Sequence, residues 1–127
     1  MLLQEAIPPG FILLREDPLT FADSEPEPDL AVVRGEEQEF ADRHPPTAEL
    51  VIEIAITSVA LDREKAAIYA EAGVVEYWIV LPAERRDEVR RNPVNGVYLD
   101  LTVLEGDAVL ACTGLSSLQV GLVGLFG

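Results

Sequence analysis

Two acidic residues and one lysine lie where a simple solvent-exposed charge is not expected. Glu53 interrupts an apolar run between Ile52 and Ile54. Asp29 precedes another apolar run and follows a rigid Glu-Pro-Glu-Pro segment. Lys65 is the single lysine of the chain. A buried carboxylate costs free energy unless it is paired, protonated or coordinated, so Glu53 must have a compensating partner.

These residue types could form a divalent-metal site if the fold brings them together. Asp29 and Glu53 offer the hard oxygen ligands that Mg²⁺ or Mn²⁺ prefers, and the backbone carbonyl of Ile54 could add a third. Lys65 could orient an attacking water or neutralise charge on a phosphoryl oxygen. Their spacing fits a structural alternative as well, in which Glu53 pairs with Lys65 or an arginine and Asp29 caps a turn.

The pattern around Glu53 predicts a strand, a helix and a second strand. Residues 49–56 alternate at period two and are apolar on both faces, which indicates a central strand. A helix is expected over about 59–72, and residues 75–81 form the next buried strand, so the unit is a parallel crossover. Lys65 is expected on the sheet-facing side of the helix. The expected apolar stripe of this helix consists of Leu61, Ile68, Tyr69 and Ala72.

The remaining pattern predicts an α/β fold with a mixed sheet. Earlier strands are expected over 11–14 and 30–33. The Asn95-Gly96 pair is a strong turn signal between apolar segments, and it predicts a C-terminal antiparallel hairpin that extends the sheet.

Composition limits the class of protein. The chain has 127 residues and is 49% hydrophobic, which fits one domain with a packed core. One cysteine and one histidine exclude a disulfide framework and a Cys/His zinc site. Cys112 is expected to be a small buried hydrophobe, and the lack of paired cysteines suits the cytoplasm. No secretory signal opens the chain, and the uncharged stretch 108–127 is too rich in glycine and hydroxyl residues for a membrane span.

The formal charge of −14 disfavours DNA as a partner, because duplex binding normally depends on basic residues. The charge is uneven, since residues 1–58 hold 13 acidic side chains and three arginines. If nucleic acid binds, the later arginine cluster is the place to expect it. The alternative for that cluster is a solvated strand edge. Its members are Arg85, Arg86, Arg90 and Arg91.

Four sequence blocks in order resemble the Uma-two family, which is grouped with the bacterial restriction endonucleases. The blocks are residues 26–33 (PEPDLAVV), 50–54 (LVIEI), 62–65 (DREK) together with 69–74 (YAEAGV), and 76–80 (EYWIV). The resemblance implies a PD-(D/E)xK nuclease fold, Mg²⁺ or Mn²⁺ as cofactor and hydrolysis of DNA phosphodiester bonds. It assigns Asp29 and Glu53 as the two acidic residues of the motif. Ala55 stands where the motif would place its lysine, and the family moves that function to the next helix, where Lys65 lies.

The chain departs from this family at its start. Residues 1–127 are expected to form one restriction-endonuclease-like domain that lacks the N-terminal hairpin and most of the first helix. That departure predicts exposed apolar surface near Leu2, Leu3 and Ile7 and on the Ile52/Ile54 or Val51 face of the sheet, and a homo-oligomer that covers it. It also leaves open a second function, in which a catalytically degenerate member serves as an oligomerising or partner-binding module.

Overall fold

The protein is described by a computed structural model that covers residues 7–56, 59–106, 108–112 and 115–121, with the backbone alone for residues 116–121. The strands of the large sheet are β1 (Phe11–Arg15), β2 (Leu30–Arg34), β3 (Leu50–Ile54), β4 (Glu76–Leu81), β5 (Arg86–Val94) and β6 (Val97–Glu105). A second sheet pairs β7 (Val109–Cys112) with β8 (Leu115–Gly121). The helices are α1 (Val59–Glu64) and α2 (Ala66–Glu71), and short 3-10 turns span Glu37–Phe40 and Pro82–Glu84.

The large sheet is mixed and follows the order β1-β2-β3-β4-β5-β6. Only β3 and β4 run parallel among its neighbouring pairs, and α1 and α2 lie in the connection between them. The predicted α/β class and the crossover unit are therefore confirmed. Asn95 and Gly96 join β5 to β6, and both have positive φ (51° and 78°), as a tight hairpin turn requires.

The core lies on both sides of the large sheet. On one side Ile52 and Trp78 pack with Cys112 of β7, which is buried as predicted. On the other side Tyr77 packs against Tyr69 of α2, with ring centroids 4.8 Å apart. Burial on both faces explains why β3 and β4 are apolar almost without interruption.

The exposed apolar surface expected at Ile52/Ile54 or Val51 is therefore wrong, since Val51 and Ile52 are buried. Leu2 and Leu3, where exposed surface is also expected, lie outside the described residues.

The predicted helix lies in the expected place but is divided at Lys65. Helical bonding continues across the division, because the Lys65 amide bonds the Leu61 carbonyl and the Tyr69 amide bonds the Lys65 carbonyl, each at 3.1 Å. The helix ends in a Schellman motif, in which the Gly73 and Val74 amides bond carbonyls of the last turn.

The expected apolar stripe of this helix is wrong at two of its positions. Leu61 and Ile68 are exposed, whereas Tyr69 is fully buried. The side that faces the sheet follows Asp62, Lys65 and Tyr69, because the sheet presents the carboxylate of a strand residue at that position. Within the described ranges no helix has the length and apolarity to cross a membrane.

The arginines of β5 do not form a solvated strand edge, because β5 lies between β4 and β6. Arg90 and Arg91 point to opposite faces of the sheet. Arg90 bonds Glu88 at 2.9 Å, and Arg91 Nε lies 3.0 Å from the fully buried Glu76. These arginines therefore neutralise acidic groups of the sheet itself.

Candidate active site

Glu53 lies near the end of β3 and points to the side of the sheet that carries α1 and α2. Since side chains alternate along a strand, its neighbour Ile52 points to the opposite side, into the core under the small sheet. Glu53 is only 3% exposed. The buried carboxylate that the sequence predicts is thus present, and its surroundings must compensate its charge.

Three donors bind the Glu53 carboxylate. The Asp29 backbone amide donates to Oε1 at 2.9 Å. The Tyr69 hydroxyl and the Lys65 ammonium donate to Oε2 at 3.0 Å and 3.3 Å. The structure therefore brings Asp29, Glu53 and Lys65 together, and it adds Tyr69 to them.

Asp29 both donates a hydrogen bond to β3 and accepts one from it. Its Oδ2 accepts the Ile54 amide at 2.7 Å. The backbone ladder between β2 and β3 ends at the pair Leu30 and Ile52, and the same register places Asp29 opposite Glu53. At this next position side-chain oxygens replace the carbonyls of the ladder, and the two carboxylates are held side by side.

Lys65 approaches from the division between α1 and α2. Its Nζ lies 3.3 Å from Glu53 Oε2 and 3.6 Å from Asp62 Oδ1. The side chain is still 41% exposed, so its ammonium group borders solvent as well as the buried carboxylate. Its position on the sheet-facing side of the helix is as predicted.

The charges of the cluster are strongly coupled. Burial raises the pKa of Glu53, although the Asp29 amide, Lys65 and Tyr69 each lower it. Burial also raises the pKa of Asp62, against the opposing effect of Lys65. Burial alone would lower the pKa of Lys65, but Glu53 and Asp62 outweigh it and raise that pKa. Lys65 is consequently protonated at neutral pH and compensates a carboxylate that water does not reach.

An open groove of about 350 Å³ lies beside Asp29. It gives this end of the cluster access to solvent. Two larger cavities, of about 480 and 430 Å³, are lined by other parts of the chain and contain none of the three predicted site residues. The groove is lined by Arg15, Glu16, Asp29, Leu30, Ile54 and Ile56.

The chain is similar to known proteins both in sequence and in fold. The model of the Uma2 family, described as "Putative restriction endonuclease", matches residues 2–122. The chain belongs to the Uma2 family. This is the family that the four sequence blocks resemble, so the resemblance is confirmed. No curated protein matches the chain significantly.

Among solved structures, this Uma2 chain is similar to "a putative nuclease belonging to DUF820" from Anabaena variabilis. The TM-score is 0.77 at 23% sequence identity, and the match covers 92% of this chain and 68% of that one. At this identity the similarity shows that the two proteins share a fold. It confirms the nuclease-like architecture that the sequence predicts.

The metal ligands of the Uma2 chain remain a prediction. In the described part of the chain, no group of three or more His, Cys, Asp or Glu side chains is placed to hold a metal ion. Asp29 and Glu53 contribute two carboxylates. Ile54 uses its amide to hold Asp29, and its carbonyl as a third ligand stays a prediction.

A second charged group, which the sequence alone does not reveal, lies on the same face. Glu88 of β5 lies two strands from Glu53, because both residues are in register with Ile79 of β4. Arg63 of α1 bonds both Glu88 oxygens with Nε at 3.2 Å, and Arg90 bonds one of them. Burial opposes ionisation of Glu88, but these arginines outweigh it and lower the pKa of Glu88. The register of β5 creates this group, and no local motif marks it.

Proposed function

We propose that this Uma2 protein is a divalent-metal-dependent endonuclease that hydrolyses phosphodiester bonds of DNA. Asp29 and Glu53 would hold Mg²⁺ or Mn²⁺, and Lys65 would act beside the reacting phosphate. The observation that carries the proposal is the bonding of buried Glu53 to both the Asp29 amide and the Lys65 ammonium. An apolar residue at this position would avoid the desolvation cost of a carboxylate, so the acidic group is best explained by chemistry.

The donor set fits Mg²⁺ better than it fits a metal that needs an all-protein cage. Mg²⁺ is commonly held by one or two carboxylates, with water and substrate phosphate in the remaining positions. Glu53 Oε1 and Asp29 Oδ2 each accept one amide, which leaves lone pairs on both carboxylates. The proposed carbonyl of Ile54 would add a neutral ligand beside them.

Each protein group has a distinct part in the proposed reaction. A bound divalent cation would supply Lewis-acid stabilisation of the charge that develops on the phosphoryl oxygens. Lys65 would stabilise the same charge from the helix side, since its ammonium borders solvent. The Ile54 amide fixes the Asp29 carboxylate before substrate arrives, and Tyr69 fixes that of Glu53.

The overall charge of −14 repels the phosphates of DNA. The groove beside Asp29 carries one basic side chain on its wall, Arg15, together with the acidic Glu16 and Asp29. We place the sugar-phosphate backbone of the substrate in this groove because Asp29 lines it. So few basic contacts imply weak binding with a shallow dependence on salt. The absence of paired cysteines supports a cytoplasmic location for this activity.

One observation favours the alternative of a catalytically degenerate module. Protein groups already occupy Glu53 Oε2, through Lys65 and Tyr69, as they would in a purely structural ion pair. In that case the family fold is kept as a scaffold for oligomers or partners. The two functions differ in metal-dependent cleavage, which only the first requires.

An assay for cleavage of supercoiled plasmid DNA in the presence of Mg²⁺, Mn²⁺ or EDTA distinguishes the nuclease from the degenerate module. We expect the wild type to cleave with metal, and E53Q to be slower by about 100-fold or more. E49Q is the matched control, because Glu49 lies just before β3 and its side-chain contact in the described part of the chain is with the largely exposed Arg34. Cleavage by wild type and E49Q but not E53Q would support the nuclease. A stable wild type that cleaves under none of these conditions would favour the degenerate module.

A further inference from the structure

Lys65 has a second acidic partner besides Glu53. Its Nζ lies 3.3 Å from Glu53 Oε2 and 3.6 Å from Oδ1 of Asp62, which lies one helical turn earlier in α1. An ammonium group has three donors, so it can interact with both carboxylates at the same time. Within the described ranges, Lys65 supplies the one ion pair that the Asp62 carboxylate forms.

The structure fixes Asp62 more firmly than it fixes Lys65. The Asp62 carbonyl accepts the hydroxyl of Tyr77 at 2.7 Å, and Tyr77 is fully buried in β4, so this bond ties α1 to the sheet. The Asp62 side chain is 13% exposed, whereas that of Lys65 is 41% exposed and carries its ammonium on a flexible stem. The position of the lysine ammonium therefore depends on the carboxylates that hold it.

The charges of the cluster divide into two matched sets. Asp29 and Glu53 together carry the negative charge that a divalent cation would neutralise. Asp62 is then left to match the positive charge of Lys65. Asp62 is not placed as a further ligand, because in the described part of the chain no three acidic side chains are grouped to hold one ion. Its carboxylate therefore stays available to the lysine.

We propose that Asp62 is a positioning residue, which holds Lys65 beside the reacting phosphate when Glu53 binds the cation. The inference rests on the proposed function. Glu53 attracts the Lys65 ammonium less once a cation balances its charge, whereas Asp62 keeps its own charge. A movement of less than about 1 Å brings Nζ from its present distance into the range of a charge-assisted hydrogen bond to Asp62, about 2.7–2.9 Å. Without Asp62 the ammonium would turn outwards to solvent.

The mobility of Lys65 tests this role without relying on activity. Lys65 is the single lysine of the chain, so protein grown with ¹³C-labelled lysine gives one Cε signal. In the wild type we expect Mg²⁺ to shift this signal, since the bond to Glu53 is lost, while ¹³C relaxation shows that the carbon stays restrained. In D62A it should be restrained without Mg²⁺, through Glu53, and should gain the mobility of a solvated lysine with Mg²⁺. D62N keeps an acceptor oxygen without the charge, so its result should lie between the two.

E64A is the matched control, because Glu64 is exposed, lies next to Lys65 and carries the same charge as Asp62. We expect the Lys65 signal of E64A to behave like that of the wild type. In the plasmid assay D62A should lower kcat by about tenfold or more and change KM by less than about twofold, whereas E64A should change neither.

The outcomes separate this role from the proposed function. A Lys65 side chain that stays restrained in D62A after Mg²⁺ has shifted its signal, or an unchanged kcat of D62A, would overturn the proposal and leave the metal site intact. A side chain that is mobile in D62A even without Mg²⁺ would show a general support of the helical segment, which also overturns it. A wild-type signal that does not respond to Mg²⁺ would mean that no cation binds beside Glu53, and the proposed function would then fail together with this inference.

Discussion

At the end of the β2–β3 ladder, the carboxylates of Asp29 and Glu53 each accept a hydrogen bond from a backbone amide of the opposite segment. The Asp29 amide donates to Glu53 Oε1 at 2.9 Å, and the Ile54 amide donates to Asp29 Oδ2 at 2.7 Å. The Asp29 carbonyl in turn accepts the amide of Glu16, the residue after β1, at 3.0 Å. Bonds to segments at the ends of β1 and β3 therefore fix the position of this aspartate, which is the preorganisation that a metal ligand needs.

Because the Asp29 side chain accepts the Ile54 amide, the stability of Asp29 variants can be predicted. In D29A the Ile54 amide loses its acceptor, so we expect the free energy of unfolding to fall by about 1–3 kcal/mol. In D29N the amide oxygen still accepts that bond, so the loss should be below about 1 kcal/mol. Urea denaturation of both variants measures the difference. Equal stability of D29A and wild type would show that the bond contributes nothing.

Lys65 and Glu53 should be energetically coupled. K65M leaves the buried carboxylate without its cation, and we expect a loss of about 1 kcal/mol, since the partly exposed lysine is screened by solvent. The same change in an E53Q background should cost clearly less. A double-mutant cycle from urea titrations gives the coupling.

The pair Arg34 and Glu49 provides the control for this cycle. The Arg34–Glu49 distance of 3.4 Å is similar to the Lys65–Glu53 distance of 3.3 Å. Because Arg34 is largely exposed, the coupling energy of its pair should be close to zero. Equal coupling energies in the two cycles would contradict the special role of the Lys65–Glu53 pair.

Tyr69 is expected to lower the pKa of Glu53. Its hydroxyl donates to Oε2, which lowers this pKa against the dominant effect of burial. Y69F removes only that hydroxyl from a buried ring, so the pKa of Glu53 should rise further. Carbon NMR of the Glu53 carboxyl group, followed against pH, measures it. An unchanged or lower pKa in Y69F would show that the hydrogen bond is not made in solution.

Asp87 should make the protein less stable as the pH rises. Burial and the neighbouring Glu88 and Glu76 raise the pKa of Asp87 to about 8, from a usual value of 3.8. Between these values the folded chain holds a proton that the unfolded chain has lost, so the free energy of unfolding falls as pH increases. D87N removes this effect and should gain roughly 1–3 kcal/mol relative to wild type between pH 5 and pH 8.

Thermal and urea unfolding across this pH range check the prediction. D100N is the control, because Asp100 is exposed and bonds only Asn92 among the described side chains. The same measurements on D100N give the effect of replacing an exposed aspartate by asparagine. A difference between D87N and wild type that is constant from pH 5 to pH 8 would mean that Asp87 is ionised in the folded chain.

The backbone of the site could be predicted from local patterns. Period-two apolarity around Glu53 identified β3, and the change to helical spacing followed by another apolar run identified the parallel crossover to β4. In that topology Lys65 must lie over the sheet, close to Glu53. The Asn95-Gly96 pair identified the hairpin, because only a few residue types accept two successive positive φ values.

Side-chain partners across strands could not be predicted in the same way. Glu88 meets Arg63 only because β5 has one particular register against β4. The helical segment directs Asp62, Lys65 and Tyr69 towards Glu53, which needs polar partners there, while Leu61 and Ile68 are exposed. Both features depend on contacts between distant segments, which hydrophobic periodicity does not encode.

Calorimetric titration of Mn²⁺ tests most directly whether Asp29 and Glu53 form a metal centre. We expect the wild type to bind a single ion per chain at roughly millimolar affinity or tighter. We expect D29N and E53Q to bind about tenfold more weakly or worse, and E49Q to bind like the wild type. Absence of binding to the wild type at millimolar Mn²⁺, or equal binding by E53Q, would contradict a metal centre at Asp29 and Glu53.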